Sequence, residues 1–126
     1  MIFLTQEFRL HMLSDAVLRT KCGNLLRIYK ISTHTAGLIL SGDYPDALDV
    51  PMQSFIGHPE IAWLAAADVA QAPFPVNRQN LVLGLDDWLV VAQYKGPVLE
   101  PGTTVLPENA KIEWWLMKYA DPGILE

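Results

Sequence analysis

Residues 59–70, PEIAWLAAADVA, constrain the fold more than any other stretch. Their spacing suits a helix, and Ile61, Trp63, Leu64 and Val69, with alanines between them, leave it apolar nearly all round. Such a helix is buried on more than one side. Its start is marked: Pro59 suits the first helical position, where its missing N–H is an orphan anyway. That makes His58 the N-cap, preceded by Gly57 and the short strand-like run MQSFI. Asp68 is a lone charge on this helix, and the sequence offers no reason for it.

The rest of the chain must supply the cover. The run IFLT at 2–5 reads as a short buried strand. QEFRLHML reads as a short helix with Phe8, Met12 and Leu13 on one side. VLRTKC and LLRIYKI flank Gly23-Asn24, a hairpin signal. Ser32 caps a helix through THTAGLIL, which Gly42 ends. DYPDALDVP is a loop. RQNLVLG and WLVVAQYK read as a second hairpin around LDD, and AKIEWWLMKYA closes the chain as a strand in which Trp114 and Trp115 face opposite ways. Between them, GPVLEPGTTVLPEN is a proline-glycine loop of a length that often carries function. The order has no strict βαβ period and no internal repeat. It predicts a single α/β (α+β) domain over residues 1–126, with a mixed sheet of about five to seven strands and about three helices. The apolar circumference of the 59–70 helix exceeds what one small sheet covers, which predicts a homodimer with its interface beside that helix.

Composition narrows function. The 126 residues, 51% apolar with a net charge of −5, describe an ordinary globular domain. The acidic balance argues against general DNA coating and leaves small anionic ligands in a local basic pocket. One cysteine, Cys22, forms no intramolecular disulfide and suits a reducing compartment. Glu7, Arg9 and His11 break the apolar N-terminal run, so it does not read as a signal peptide, and no run is long enough to span a bilayer. The expected location is therefore cytoplasmic.

No CxxC, HExxH, P-loop or GxSxG pattern occurs, and His11, His34 and His58 are too scattered to predict a metal site. His58 is the strongest candidate for chemistry. At a helix N-cap, backbone N–H groups and the helix dipole favour an anion. The helix field and a bound phosphate act on such an imidazole in opposite senses, a setting suited to a general acid near neutral pH. The plainer reading is that His58 only caps the helix. Arg78, where the rigid FPVN loop enters a strand, suits a phosphate fork, or else a solvated strand end. Lys95 and Glu100 flank and occupy the long loop, where surface charge is the ordinary role.

The segments FLTQEFRLHML, SFIGHPEIAWLAA, VNRQNLVL and IEWWLM, in this order, resemble the anti-CRISPR ring nucleases of archaeal viruses and their phage and bacterial relatives. The likeness spans nearly the whole chain. Ile-Gly-His before the apolar helix and Asn-Arg before a strand are its most specific parts. The resemblance implies a homodimer, in the host cytoplasm if the source is viral. A cyclic oligoadenylate, cyclic tetra-adenylate above all, would lie across its interface. It implies metal- and cofactor-free cleavage in which a ribose 2′-OH attacks its own phosphodiester and His58 protonates the leaving 5′-oxygen. Glu100 would orient the 2′-OH or shape the loop. Arg9, His11, Gly57, Asn77, Arg78 and Lys95 would hold the ligand. The family pattern Arg-Leu-x-Glu-Gly in the long loop is here Val98-Leu99-Glu100-Pro101-Gly102. Loss of that cation beside a developing oxyanion costs rate, while Arg9 and His11 would bring charge from another side. Two alternatives follow: a non-catalytic sponge for a cyclic nucleotide, and a protein–protein inhibitor on the same fold.

Overall fold

The computed structural model describes residues 1–9, 12, 26–84 and 86–119. Five strands form one mixed sheet: β1 (Ile2–Thr5), β2 (Leu26–Ile31), β3 (Met52–Ser54), β4 (Trp88–Lys95) and β5 (Lys111–Tyr119), in the order β2-β5-β4-β1-β3. β1 runs parallel to both β3 and β4, while β5 is antiparallel to β4 and β2. Two α-helices are described, α1 (Thr33–Ser41) and α2 (Pro59–Asp68), with a single turn of 3-10 helix at Pro45–Ala47. The α+β class and the mixed sheet are as the sequence predicts, with two described helices rather than about three.

Alternation along the strands divides the core. Val90 and Ala92 of β4, with Trp114 and Leu116 of β5, join Ile2 and Leu4 on the face covered by Ala36, Ile39 and Leu40 of α1 and by Ala62, Ala65 and Ala66 of α2. Leu89, Val91 and Met117 point the other way and pack with Met12, Leu81 and Leu83. Trp114 is therefore buried, and Trp115 sits half-buried on the opposite face. A period of two on a sheet buried from both sides accounts for this split.

The helix ends follow local chemistry. The Ser32 hydroxyl accepts from Thr35 N–H at 3.1 Å. Gly42, at φ +83°, ends α1 with its N–H on Ile39 O, a left-handed position that glycine adopts without a Cβ penalty. α2 starts at Pro59 behind His58, as expected, and ends at Asp68, two residues short of the expected end, before the turn at Ala70 with φ +55°. Asp68 now has a reason. Its Oδ2 accepts from Trp114 Nε1 at 2.7 Å and from Thr33 Oγ1 at 3.4 Å, which ties α2 to β5 and to the first turn of α1. Trp63 and Ala67 remain exposed, so part of the apolar circumference of α2 is left uncovered by this chain.

Two local expectations are corrected. Of the helix expected over QEFRLHML, residues 6–9 leave β1 as a bend, with Gln6 accepting the His58 N–H, and Met12 is in 3-10 conformation, while residues 10, 11 and 13 lie outside the described residues. RQNLVLG does not pair with β4, since both edges of β4 are taken by β1 and β5. Leu81 and Leu83 instead pack beneath the sheet, where Leu83 N–H donates to Met12 O. For the first expected hairpin, β2 forms but pairs with β5; its other half and Gly23-Asn24 lie outside the described residues.

Candidate functional site

β1 and β3 are parallel, so the segments that leave their carboxyl ends emerge side by side. Open sheets with parallel strands place ligand sites at such ends. Phe55 N–H donates to Leu4 O at 2.7 Å, carrying the pairing one residue beyond β3. The chain then reaches Ile56, which bridges Val76 in parallel, and Asn77 N–H donates to Ile56 O at 3.0 Å. The two most specific sequence segments, Ile56-Gly57-His58 and Asn77-Arg78, thus run alongside each other although about twenty residues separate them.

Each member is locked from a different side. Arg78 Nε donates to Gly57 O at 3.0 Å. A Cβ at Gly57 would lie 3.3 Å from Arg78 Cγ, so the arginine stem packs closely over this glycine. The Asn77 side chain accepts from Gln79 N–H at 2.9 Å and shapes its own turn. His58 N–H is held by Gln6 Oε1 at 3.1 Å. These segments enclose a pocket of about 280 Å³ whose walls include Gln6, Arg9, Gly57, Asn77, Arg78 and Asn80. Arg9 forms an ion pair with Glu7, which also lines the pocket and offsets part of its positive charge.

His58 adjoins this pocket through Gly57, but its ring is not part of the wall. No side-chain hydrogen bond from it caps α2. Instead Nδ1 is buried and lies 3.0 Å from Glu60 Oε2, close enough for an ion pair though not aligned as a hydrogen bond. The side chain is 41% exposed although Nδ1 is buried, so its exposure lies on atoms other than Nδ1. The other oxygen of Glu60 accepts the N–H of Gly102 at 2.9 Å, from the long loop between β4 and β5. Gly102 has φ +82° with open space around its Cα, so the left-handed turn that aims its N–H at Glu60 is conformational, not a matter of crowding. The Glu60 carboxyl is held below its ordinary value first by the Gly102 N–H, then by its own N–H, and also by the charge of His58.

Of the residues singled out from sequence, Arg9, Gly57, Asn77 and Arg78 come together at the pocket, and His58 stands beside it. Glu100 is exposed; its backbone O accepts from Thr103 N–H and Oγ1, and no described hydrogen bond or ion pair uses its carboxylate. Lys95 is not at the pocket: its Nζ lies 3.0 Å from Glu113 Oε2, in a group that also contains Lys111 and Lys30. His11 lies outside the described residues. Glu60 is the residue that sequence reasoning missed. The available signal was an acidic residue in the first turn of a helix, two places after the N-cap. Among the described residues no three of His, Cys, Asp or Glu converge as metal ligands, and no helix is long and apolar enough to cross a membrane.

No protein-family model and no curated protein matches the chain. Among solved structures, B116 of Sulfolobus turreted icosahedral virus is similar, with a TM-score of 0.69 over 93% of this chain and 97% of that one, at 18% sequence identity. At that identity the likeness is one of fold: a protein of an archaeal virus shares this arrangement of sheet and helices along nearly its whole length.

Proposed function

We propose that this protein is a ring nuclease that opens a cyclic oligoadenylate, cyclic tetra-adenylate foremost, and so antagonises type III CRISPR signalling. The observation that carries the reading is the junction at Gly57-His58. An imidazole with one buried nitrogen against a carboxylate and its other edge open stands next to a polar pocket holding Arg78. The archaeal-virus protein with the same fold is in keeping with the family the sequence resembles.

In this reading a ribose 2′-oxygen attacks the adjacent phosphorus, its proton passes to solvent, and the bond from phosphorus to the 5′-oxygen breaks. His58 gives its outward proton to that leaving oxygen, and the products carry a 2′,3′-cyclic phosphate and a 5′-hydroxyl. Arg78, oriented by Gly57 O, presents its remaining N–H groups to a phosphate. Arg9 adds charge from the exit of β1. Two chains would share the ring across the uncovered side of α2, where Trp63 is 45% exposed. The site would work in the cytoplasm of the cell in which the signal is made.

A second reading, a sponge that binds the ring without opening it, is favoured by one observation. Val98 occupies the place of the family's loop arginine and is 95% exposed, and residues 96–110 contain no lysine or arginine. The test is incubation with a panel of cyclic oligoadenylates of different ring size in EDTA, read by chromatography. Linear products ending in 2′,3′-cyclic phosphate support the nuclease. Intact ring recovered after heating the complex supports the sponge. A ring that neither binds nor breaks removes both.

A further inference from the structure

We propose that Glu60 is a positioning residue: its two oxygens hold Nδ1 of His58 on one side and the long β4–β5 loop on the other. Nε2 is thereby left as the ring nitrogen that meets substrate. The consequence for cleavage rests on the reading of His58 as general acid; the geometry of the clasp does not.

One carboxylate links three separate pieces of chain. Oε2 approaches His58 Nδ1 at 3.0 Å, and Oε1 accepts Gly102 N–H at 2.9 Å across 42 residues of sequence. The Glu60 side chain is only 15% exposed, so water competes weakly for either oxygen. Around His58, the side-chain groups that reach its immediate backbone are Gln6, on its N–H, and Arg78, on the adjoining Gly57 O. Among the described residues Glu60 is the charged group that faces the ring, and the loop contributes the Gly102 N–H behind it. Glu100, two residues earlier in that loop, is exposed.

An ionised carboxylate only accepts hydrogen bonds. Glu60 is kept ionised by two backbone N–H groups. The proton facing it must therefore sit on Nδ1. In the neutral ring this selects the Nδ1–H tautomer, with Nε2 as the bare nitrogen. In the protonated ring it leaves Nε2–H as the donor. When Nε2 gives its proton to a leaving oxygen, the ring that remains is already the tautomer Glu60 favours. A carboxylate behind a catalytic histidine performs the same service in hydrolytic triads, where it fixes tautomer and orientation without taking the proton. The misaligned 3.0 Å approach fits a resting state, since catalytic contacts often tighten only with substrate bound. A carboxylate serving only the helix dipole needs neither the ring contact nor the loop contact.

The test compares Glu60→Gln and Glu60→Ala with the wild type. Ring-nitrogen NMR of the 15N-histidine-labelled protein reads the tautomer, amide exchange reads Gly102, and thermal unfolding checks the fold. The wild type is expected to show a protonated Nδ1 on His58 once the ring is neutral. Glu60→Gln, nearly isosteric, should keep Gly102 protected while losing the tautomer preference. Glu60→Ala should lose both. With cyclic oligoadenylate, Glu60→Gln should slow single turnover about 10²-fold, within the span of general acid–base effects, while ring affinity changes a few-fold at most. A wild-type ring protonated on Nε2, or nitrogen shifts unchanged in a folded Glu60→Ala protein, overturns the proposal. A tautomer that responds to Glu60 in a protein that cleaves no ring supports the positioning and overturns only the assigned reaction.

Discussion

Glu60 and Glu113 are both largely buried carboxylates held below their ordinary range, and the contrast between them separates a site from a lock. Glu113 lies in β5 with Lys95 and Lys111 each at 3.0 Å and Lys30 at 3.8 Å. Three ammonium groups, each about half exposed or more open than that, from 48 to 66%, surround one anion, the arrangement that staples β2, β4 and β5 across the sheet. Its carboxyl is pulled to about 2, first by the Lys95 contact and then by Lys111. Nothing about that environment needs to change during a reaction. Glu60 has no lysine or arginine partner among the described residues. Its partners are a backbone N–H from a long loop and one titratable ring whose other edge is open. Surplus positive charge fixes an anion in place; a single histidine leaves the pair able to move a proton.

The sharpest way to break this contrast is His58→Ala. If the Glu60 end performs chemistry, single-turnover cleavage should fall by about 10²–10⁴-fold, with ring binding within a few-fold and the thermal transition nearly unchanged. The last holds because no side-chain cap is lost. Persistent cleavage in the folded variant would make His58 a mere junction residue and erase the difference between the two ends.

Next in size is Gly96→Ala, which probes the neck where the long loop leaves β4. A Cβ there would stand 2.6 Å from Ala110 Cβ and 2.9 Å from both Ala110 Cα and Tyr94 Oη. Ala110 is too short to swing aside, so overpacking should cost about 1–3 kcal/mol, read by urea denaturation. A neutral result would mean that the neck yields and that the Glu113 end is less rigid than described.

Arg78→Ala should weaken ring binding by roughly tenfold, or about 1.5 kcal/mol for a lost charge-assisted contact, while the rate of bound ring changes less. Equal binding with slow cleavage would move Arg78 from a holding to a reacting phosphate.

The smallest effect belongs to Glu113→Gln, and it has a definite pH signature. The folded carboxyl, at about 2, lies below the ordinary value of 4.5. Its stabilisation is therefore full above about pH 4.5 and is lost as pH falls toward 2. The variant should show a flatter acid limb in thermal unfolding between those values, with a small change at neutral pH because the lysines are 48–66% exposed and well solvated. An unaltered acid limb would assign acid lability to other carboxylates.

Local features were legible and distant ones were not. The Ser32 and Gly42 ends of α1 and the His58-Pro59 start of α2 depend on residues within one turn of each other, and the sequence states them directly. The second hairpin failed because LVL and WLVV look alike as neighbours, whereas the true partners of β4 lie at residues 2–5 and 111–118. Lys95 was drawn to the site by its place at the loop entrance; strand register sets it opposite Lys111 and beside Glu113 instead. Glu60 was invisible for a related reason. Its ring contact is two residues away, but the loop that gives it a second partner arrives from residue 102. Asp68 likewise made sense only when Trp114 met it.

The position of β1 has a consequence for how the molecule is made. This four-residue strand lies between β3 and β4, with Ile2 opposite both Met52 and Trp88. On a ribosome it emerges ahead of both neighbours, and the second of them, β4, is synthesised some eighty-five residues later. Until then the apolar segment Ile2-Phe3-Leu4 has an open edge, a template for pairing with another chain. Closure of such distant pairs is slow compared with helix formation. The interval in which this edge stands open is therefore the synthesis of the chain, and it closes when β4 reaches β1.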